Sequence, residues 1–283
     1  MKKQKILVCI DGSSLSKAVC DYAIFLAKKL NLPLVLLNVI EHSHTPKKIN
    51  LSGSIGLGAK EDLLEQLSDE EQKESKELIK KSKKTLKEFE AYVKDCGITD
   101  SQIIQKHGSL EEILNEYSSQ AKIAVMGIKG VDSPKSKKIG NHIKESVRTL
   151  NIPVLLVNND FKPIQSILMA YDGSEFSKKA FKVAILNPVF PDTKRYIVNV
   201  NKDAILSTKL LKEAETFFNE TNFEIETKSL QGDVLEELLK YQDENNIDII
   251  AMGAYSHNRL KNMFFGSFTT KMLLNAKKPV VLF

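Results

Sequence analysis

The chain has 283 residues, 42% hydrophobic and 27% charged, which excludes a disordered or fibrous polymer and allows one large or two ordinary domains. Lys and Arg number 41 against 36 Asp and Glu, a net charge of +5 with no long uniform basic run, so the balance does not call for nucleic acid as a partner. Three cysteines without a Cys-x-x-Cys pair, and no apolar stretch near the roughly 20 residues that cross a bilayer, argue against a disulfide framework and a membrane span and for a reducing, cytoplasmic setting.

In chain order, the first predicted strand is 6–10, an apolar run that stops at Asp11-Gly12 and is too short for an export segment despite the basic start at Lys2 and Lys3. A helix-period stretch at 14–30 and a strand at 34–40 follow. The Gly-rich run 52–58 does not sit at a strand-to-helix turn, so it reads as a surface loop or lid rather than a phosphate loop. A short helix is expected at 60–67. After it Ser68-Asp69-Glu70-Glu71 has the form of a capping box, expected to open a long helix over 69–95 with Ile79, Leu86, Phe89 and Val93 on its buried face. Strands at 101–106, 122–126 and 153–157 alternate with helices at 110–119 and 141–150, and 158–165, with Asn158, Asn159 and Pro163, reads as a linker. The remaining strands are 166–171, 195–200, 223–229, 247–252 and 279–283.

The second half repeats the first. Ile6-Leu7-Val8-Cys9-Ile10-Asp11-Gly12-Ser13 recurs as Ile167-Leu168-Met169-Ala170-Tyr171-Asp172-Gly173-Ser174, and Leu36-Leu37-Asn38-Val39 returns at the same offset as Ile197-Val198-Asn199-Val200. Met126-Gly127 matches Met252-Gly253, Gly140-Asn141 matches Gly266-Ser267, and 153–157 matches 279–283, all at a second, smaller offset. The first half therefore carries extra residues between Val39 and Met126. The expected division is 1–158, with an insert around 41–67, and 164–283. Strands alternating with helices predict an α/β chain of two tandem five-stranded parallel open sheets, Rossmann-like, each in the order 3-2-1-4-5.

In such sheets ligands bind beyond the carboxyl ends of the strands, where the order reverses. Asp11 and Asp172 close strand one of each half, and glycine segments close strand four. Gly127-x-x-Gly130 followed by Gly140-Asn141, and Gly253-x-x-Ser256 followed by Gly266-Ser267, let backbone approach a phosphate and open a helix whose free N–H groups favour an anion. A carboxylate beside them suits ribose hydroxyls or an adenine amine. Taken alone, Asp-Gly after a strand is a common turn, Gly127 and Gly253 are tight-turn residues and Gly140 a packing residue. Lys135, Lys137 and Lys138 read as a solvated loop. His42, His44 and His107 suggest zinc ligands only weakly, with no further pair at ligand spacing, and His142 and His257 adjoin the glycine loops.

The pattern Gly-2x-Gly-9x-Gly-(Ser/Thr) after an early strand ending in Asp resembles the ATP-binding signature of the universal stress protein family, and the stretch from Gly253 through Arg259 to Ser267 is similar to its tandem members. The resemblance implies the adenine nucleotide α-hydrolase-like fold and nucleoside contacts from Asp11, Val39, Asp172 and Val200. It implies phosphate and ribose contacts around Met126, Gly127, Gly130, Gly140 and Asn141 in the first half, and Met252, Gly253, Ser256, Gly266, Ser267 and Thr269 in the second. Asn141 and Ser256 depart from the pattern, while Ser267, Thr269 and Thr270, with Arg259 nearby, give the second half more hydroxyls. The resemblance also implies ATP, ADP or AMP as ligand, with Mg as an accompanying ion, a stress-response role through an unknown protein partner, and an intramolecular pseudo-dimer through strand five, open to further homodimerisation. No Walker loop, Gly-x-Ser-x-Gly elbow or His-Glu-x-x-His segment is present, so any ATP hydrolysis is expected to be slow. A scaffold with decayed sites is the alternative from another class.

Overall fold

The structure, a computed structural model, describes residues 4–40, 57–130, 139, 141–186, 188–253 and 267–283, with backbone alone at 57–74, 141, 142 and 148. The first half runs β1 (Lys5–Cys9), α1 (Ser16–Leu30), β2 (Leu34–Ile40), α2 (Leu57–Asp95), β3 (Ser101–His107), α3 (Leu110–Ser118), β4 (Ala121–Gly127), α4 (Asn141–Thr149) and β5 (Val154–Val157). The second runs β6 (Ser166–Ala170), α5 (Glu175–Leu186), β7 (Lys194–Val200), α6 (Ala204–Thr216), β8 (Ile225–Leu230), α7 (Val234–Glu244), β9 (Ile249–Met252), α8 (Ser267–Asn275) and β10 (Val280–Leu282).

The strands form one sheet in the order β3-β2-β1-β4-β5-β10-β9-β6-β7-β8. Each half has the expected 3-2-1-4-5 order with parallel neighbours, for example Val8↔Leu36 and Val8↔Val125 in the first half and Met169↔Ile197 and Met169↔Ala251 in the second. Between the halves β5 and β10 pair antiparallel, Val281 opposite Leu155, so each covers the edge the other would leave open.

The apolar runs predicted as strands lie in the middle of this sheet because both of its faces are covered. Val8, Val125, Leu155 and Val281 point to one core, shared with Val19, Leu86, Phe181 and Leu211 of α1, α2, α5 and α6. Leu7, Ala124, Leu156 and Val280 point to the other, shared with Leu114, Val147, Leu238 and Met272 of α3, α4, α7 and α8. The outermost strands β3 and β8 are instead half-exposed, and β8 (Ile225–Leu230) alternates accordingly.

One expected boundary is corrected. Ser68-Asp69-Glu70-Glu71 does not open a helix: α2 runs unbroken from Leu57 to Asp95, 39 residues, taking in the short helix expected at 60–67. No Gly or Pro stands between Lys60 and Ser68 to stop the chain, and extending a helix by a residue is far easier than nucleating a second one. Of the expected buried face, Leu86 and Val93 are fully buried, Phe89 packs beside them and Ile79 is half-buried.

Candidate functional site

Each half turns from its first strand into its first helix through a glycine at positive φ, Gly12 at 79° and Gly173 at 76°, a conformation that L side chains avoid. The turn leaves Asp11 and Asp172 exposed at the sheet's carboxyl edge. Around Asp11 the local sequence folds on itself. Its Oδ1 accepts from the Ser13 amide and the Ser16 hydroxyl, both at 2.9 Å, and the Gly12 amide donates to the same Ser16 oxygen at 3.0 Å. Asp172 Oδ1 accepts from the Ser174 amide at 3.0 Å. Burial acts to raise the pKa of this carboxyl, but hydrogen bonds from Ser174 and Ser177 outweigh it and hold the group below the usual carboxylate range.

Behind each turn stands a buried asparagine that the sequence reading assigned no role. Asn38 Nδ2 donates to the Ile10 carbonyl at 2.6 Å and Asn199 Nδ2 to the Tyr171 carbonyl at 2.7 Å, the residues immediately before the two aspartates. The signal was there: an amide repeated at one offset between apolar neighbours, Leu37 and Val39 in β2 and Val198 and Val200 in β7. In the first half the Asn38 Oδ1 also accepts from Ser82 of α2. In the second half the Asn199 Oδ1 is buried without a partner among the described residues.

The glycine segment after β4 returns to the same place. A Cβ on Gly130 would stand 3.3 Å from Asp11 Oδ2, so the first-strand carboxylate and the fourth-strand loop border one crevice, as the strand order requires. Gly127 does a different job. A side chain there would meet Leu15 Cβ at 3.2 Å, and on Gly253 it would meet the Phe176 carbonyl at 3.1 Å, so both glycines let the first helix of their half approach the fourth strand. Val39 and Val200 are half-buried at the ends of β2 and β7. Met126 and Met252 have side chains packed in the core, leaving main chain as their means of reaching a ligand. Ser267 opens α8 with an exposed side chain, Thr270 is half-buried and Thr269 is buried.

Gly140, Ser256, Gly266 and Arg259 lie outside the described residues, as do His42, His44, His257, Lys135, Lys137, Lys138 and the run 52–56; Gly58 lies within α2, and Asn141 and His142 are described only as backbone in α4. His107 is the exposed last residue of β3. Among the described residues no cluster of three or more His, Cys, Asp or Glu side chains forms a metal centre, and no helix is long and apolar enough to cross a membrane. Cys9, next to the site, is pushed up to about 12 by burial and by the nearby Asp11 charge, so it stays a thiol.

Comparison with known proteins places these features in one family. The universal stress protein family model matches residues 3–158 and 201–283. The universal stress protein Slr1230 of Synechocystis sp. is 31% identical over 99% of this chain and 99% of its own length. The universal stress protein MJ0577 of Methanocaldococcus jannaschii is 22% identical over 59% of this chain and 89% of its own. Among solved structures, a universal stress protein from Archaeoglobus fulgidus covers 98% of this chain and 95% of that one at 20% identity with a TM-score of 0.67, a likeness of fold.

Proposed function

The chain belongs to the universal stress protein family, and from that premise we propose that it binds an adenine nucleotide, ATP, ADP or AMP, and regulates a partner through the conformation the nucleotide favours. The observation that carries this reading is the meeting of Gly130 with the Asp11 carboxylate at the reversal of strand order. A missing side chain keeps space open beside an exposed acid, at the position where open α/β sheets hold ligands.

In this reading Asp11 accepts from a ribose hydroxyl or the adenine amine. Ser13 and Ser16 hold its Oδ1 and fix the orientation of the carboxylate. Asn38 fixes the strand end from behind through the Ile10 carbonyl. Main-chain amides at the start of α4 donate to phosphoryl oxygens, helped by the helix dipole. The bound nucleotide supplies the negative charge that these amides neutralise. Mg²⁺, where present, is carried by the phosphates, since the described residues offer no acidic cluster for it. We assign the second half the same arrangement around Asp172, Val200, Gly253 and Ser267, with 1–158 and 164–283 each a nucleotide-binding unit. Any hydrolysis is slow in this reading, because no Walker loop, Gly-x-Ser-x-Gly elbow or His-Glu-x-x-His segment is present.

The test is to denature freshly purified protein, identify released nucleotide by chromatography, and titrate ATP, ADP and AMP calorimetrically. The expected result is carried-over or millimolar-saturable adenine nucleotide, weakened at least about tenfold by Asp11→Ala, as for loss of a charged hydrogen bond. Absence of released nucleotide together with absence of heat would remove the reading. Unaltered binding in both Asp11→Ala and Asp172→Ala would remove the assigned residues.

A further inference from the structure

The duplication makes the two halves meet at two equivalent junctions, and among the described residues only one of them is filled. At the first, the linker between the halves lies over the connection into β10 and against α1. Asn158 Nδ2 donates to the carbonyls of Ala276 and Lys278 at 2.7 and 3.0 Å, and Asn159 Nδ2 to that of Lys277 at 2.6 Å. Phe161 then packs edge-on against Tyr22, ring centroids 4.9 Å apart, and tilted against Phe25 at 5.9 Å. The Lys162 amide donates to the Tyr22 hydroxyl at 3.2 Å. Seven residues, 158–164, thus lie along a groove, bending at 159–160, with amides gripping carbonyls at one end and an aromatic ring seated on a helix.

At the second junction the repeat puts Leu150–Pro153 where Ala276–Pro279 stand, and Phe176, Ala180 and Val183 of α5 where Leu15, Val19 and Tyr22 of α1 stand. These residues, with Lys179 and Phe283, line an open groove. Leu186, the counterpart of Phe25, is 84% exposed, and Phe176 is 46% exposed. Among the described residues no segment lies over this surface. An apolar floor of this kind costs hydration until something covers it. Its twin shows what fits. Lys179, exposed on the rim where the first junction has Ala18, adds a positive charge that suits an acid in the position of Asp160.

We propose that this groove between α5 and the α4–β5 connection docks a short peptide segment of a partner protein in the manner of residues 158–164. The peptide has a side-chain amide at its start, an aromatic residue three positions later and an acid between them. The site is independent of the crevice at Asp11, lying beside the seam of the sheet.

The probe is a fluorescein-labelled peptide with the sequence of residues 158–164, Asn-Asn-Asp-Phe-Lys-Pro-Ile, titrated with the full chain and followed by anisotropy. Saturable binding is expected, at least about tenfold weaker when the peptide's Phe is replaced by Ala, as for loss of a buried aromatic anchor. Leu186→Asp and Val183→Arg in the protein should weaken it similarly. Leu186 is exposed enough that its substitution leaves the unfolding curve unchanged, which separates lost docking from lost folding. No saturation up to millimolar protein overturns the proposal, as does binding indifferent to both substitutions. Binding that survives Leu186→Asp but is lost in Tyr22→Ala puts the peptide in the linker's own groove and also overturns it. If a second copy covers the surface instead, the chain sediments as a dimer, Leu186→Asp makes it monomeric and the peptide fails to bind.

Discussion

The two halves share a frame and differ in what is packed over it. In both, a buried asparagine anchors the end of the first strand, a glycine at positive φ turns the chain and a serine-rich first turn holds an aspartate. Over that frame the first half lays a helix of 39 residues and the second one of 13. The consequence reaches the site: Ser82 on the long helix satisfies Asn38, whereas Ser207 on the short one pairs with Ser229 of β8 at 2.7 Å and Asn199 keeps a buried oxygen without a partner among the described residues. Repetition has preserved the backbone-holding contacts, and divergence has gone into the side chains that complete them.

Four tests break or sharpen this comparison. The largest effect should come where the halves depend on each other. Val281 is fully buried on β10 opposite Leu155, and Val281→Asp should cost on the order of 4 kcal/mol or more by burying an unpaired charge, read as loss of cooperative urea unfolding or as aggregation. Next, Asn38→Ala removes two hydrogen bonds and should destabilise by about 2–3 kcal/mol, while Asn199→Ala removes one and relieves an orphan oxygen, at about 1 kcal/mol. Equal losses in the two variants would contradict the asymmetry.

Smaller effects are expected at the turns. Gly12→Ala and Gly173→Ala each force a side chain to positive φ, at about 1–2 kcal/mol. Gly173→Ala should be the worse, because its Cβ would strike Leu210 Cδ2, whereas at Gly12 the nearest atom is Thr85 Cγ2 at 3.9 Å. Thermal unfolding of the pair decides it. The smallest effect is electrostatic. Asp172 is held below its ordinary value of 3.8, so its ionised form favours the fold; that contribution is present above 3.8 and is lost as pH falls through the lowered folded-state value. The stability gap between the wild type and Asp172→Asn, followed by urea unfolding, should therefore close on acidification below the ordinary carboxylate range, and a gap that widens would refute the stated cause.

How much was readable follows from which residues carried the signal. The strand order and the neighbourhood of Asp11 and Gly130 were legible, because apolar runs alternating with helical periods constrain a parallel sheet to few topologies and the duplication states the pattern twice. The start of α2 was not. Ser68-Asp69-Glu70-Glu71 caps a helix only where the preceding backbone leaves the helical region, and nothing within those four residues reports whether it does. The asparagines were visible but mute. An amide in an apolar strand is explained only by its partner, and Ile10 and Tyr171 stand just past the ends of the neighbouring strands β1 and β6.

By itself the sequence determined the alternation of strand and helix, the duplication and the placing of an acid and a glycine loop at the ends of the first and fourth strands, since these depend on local conformational preference and on side-chain periodicity. Only the tertiary structure decided how β5 and β10 register across the seam, which asparagine is fully satisfied and which of two equivalent grooves the linker occupies. Backbone hydrogen bonding and apolar contact are indifferent to distance along the chain. What they pair is settled when distant segments compete for the same surface.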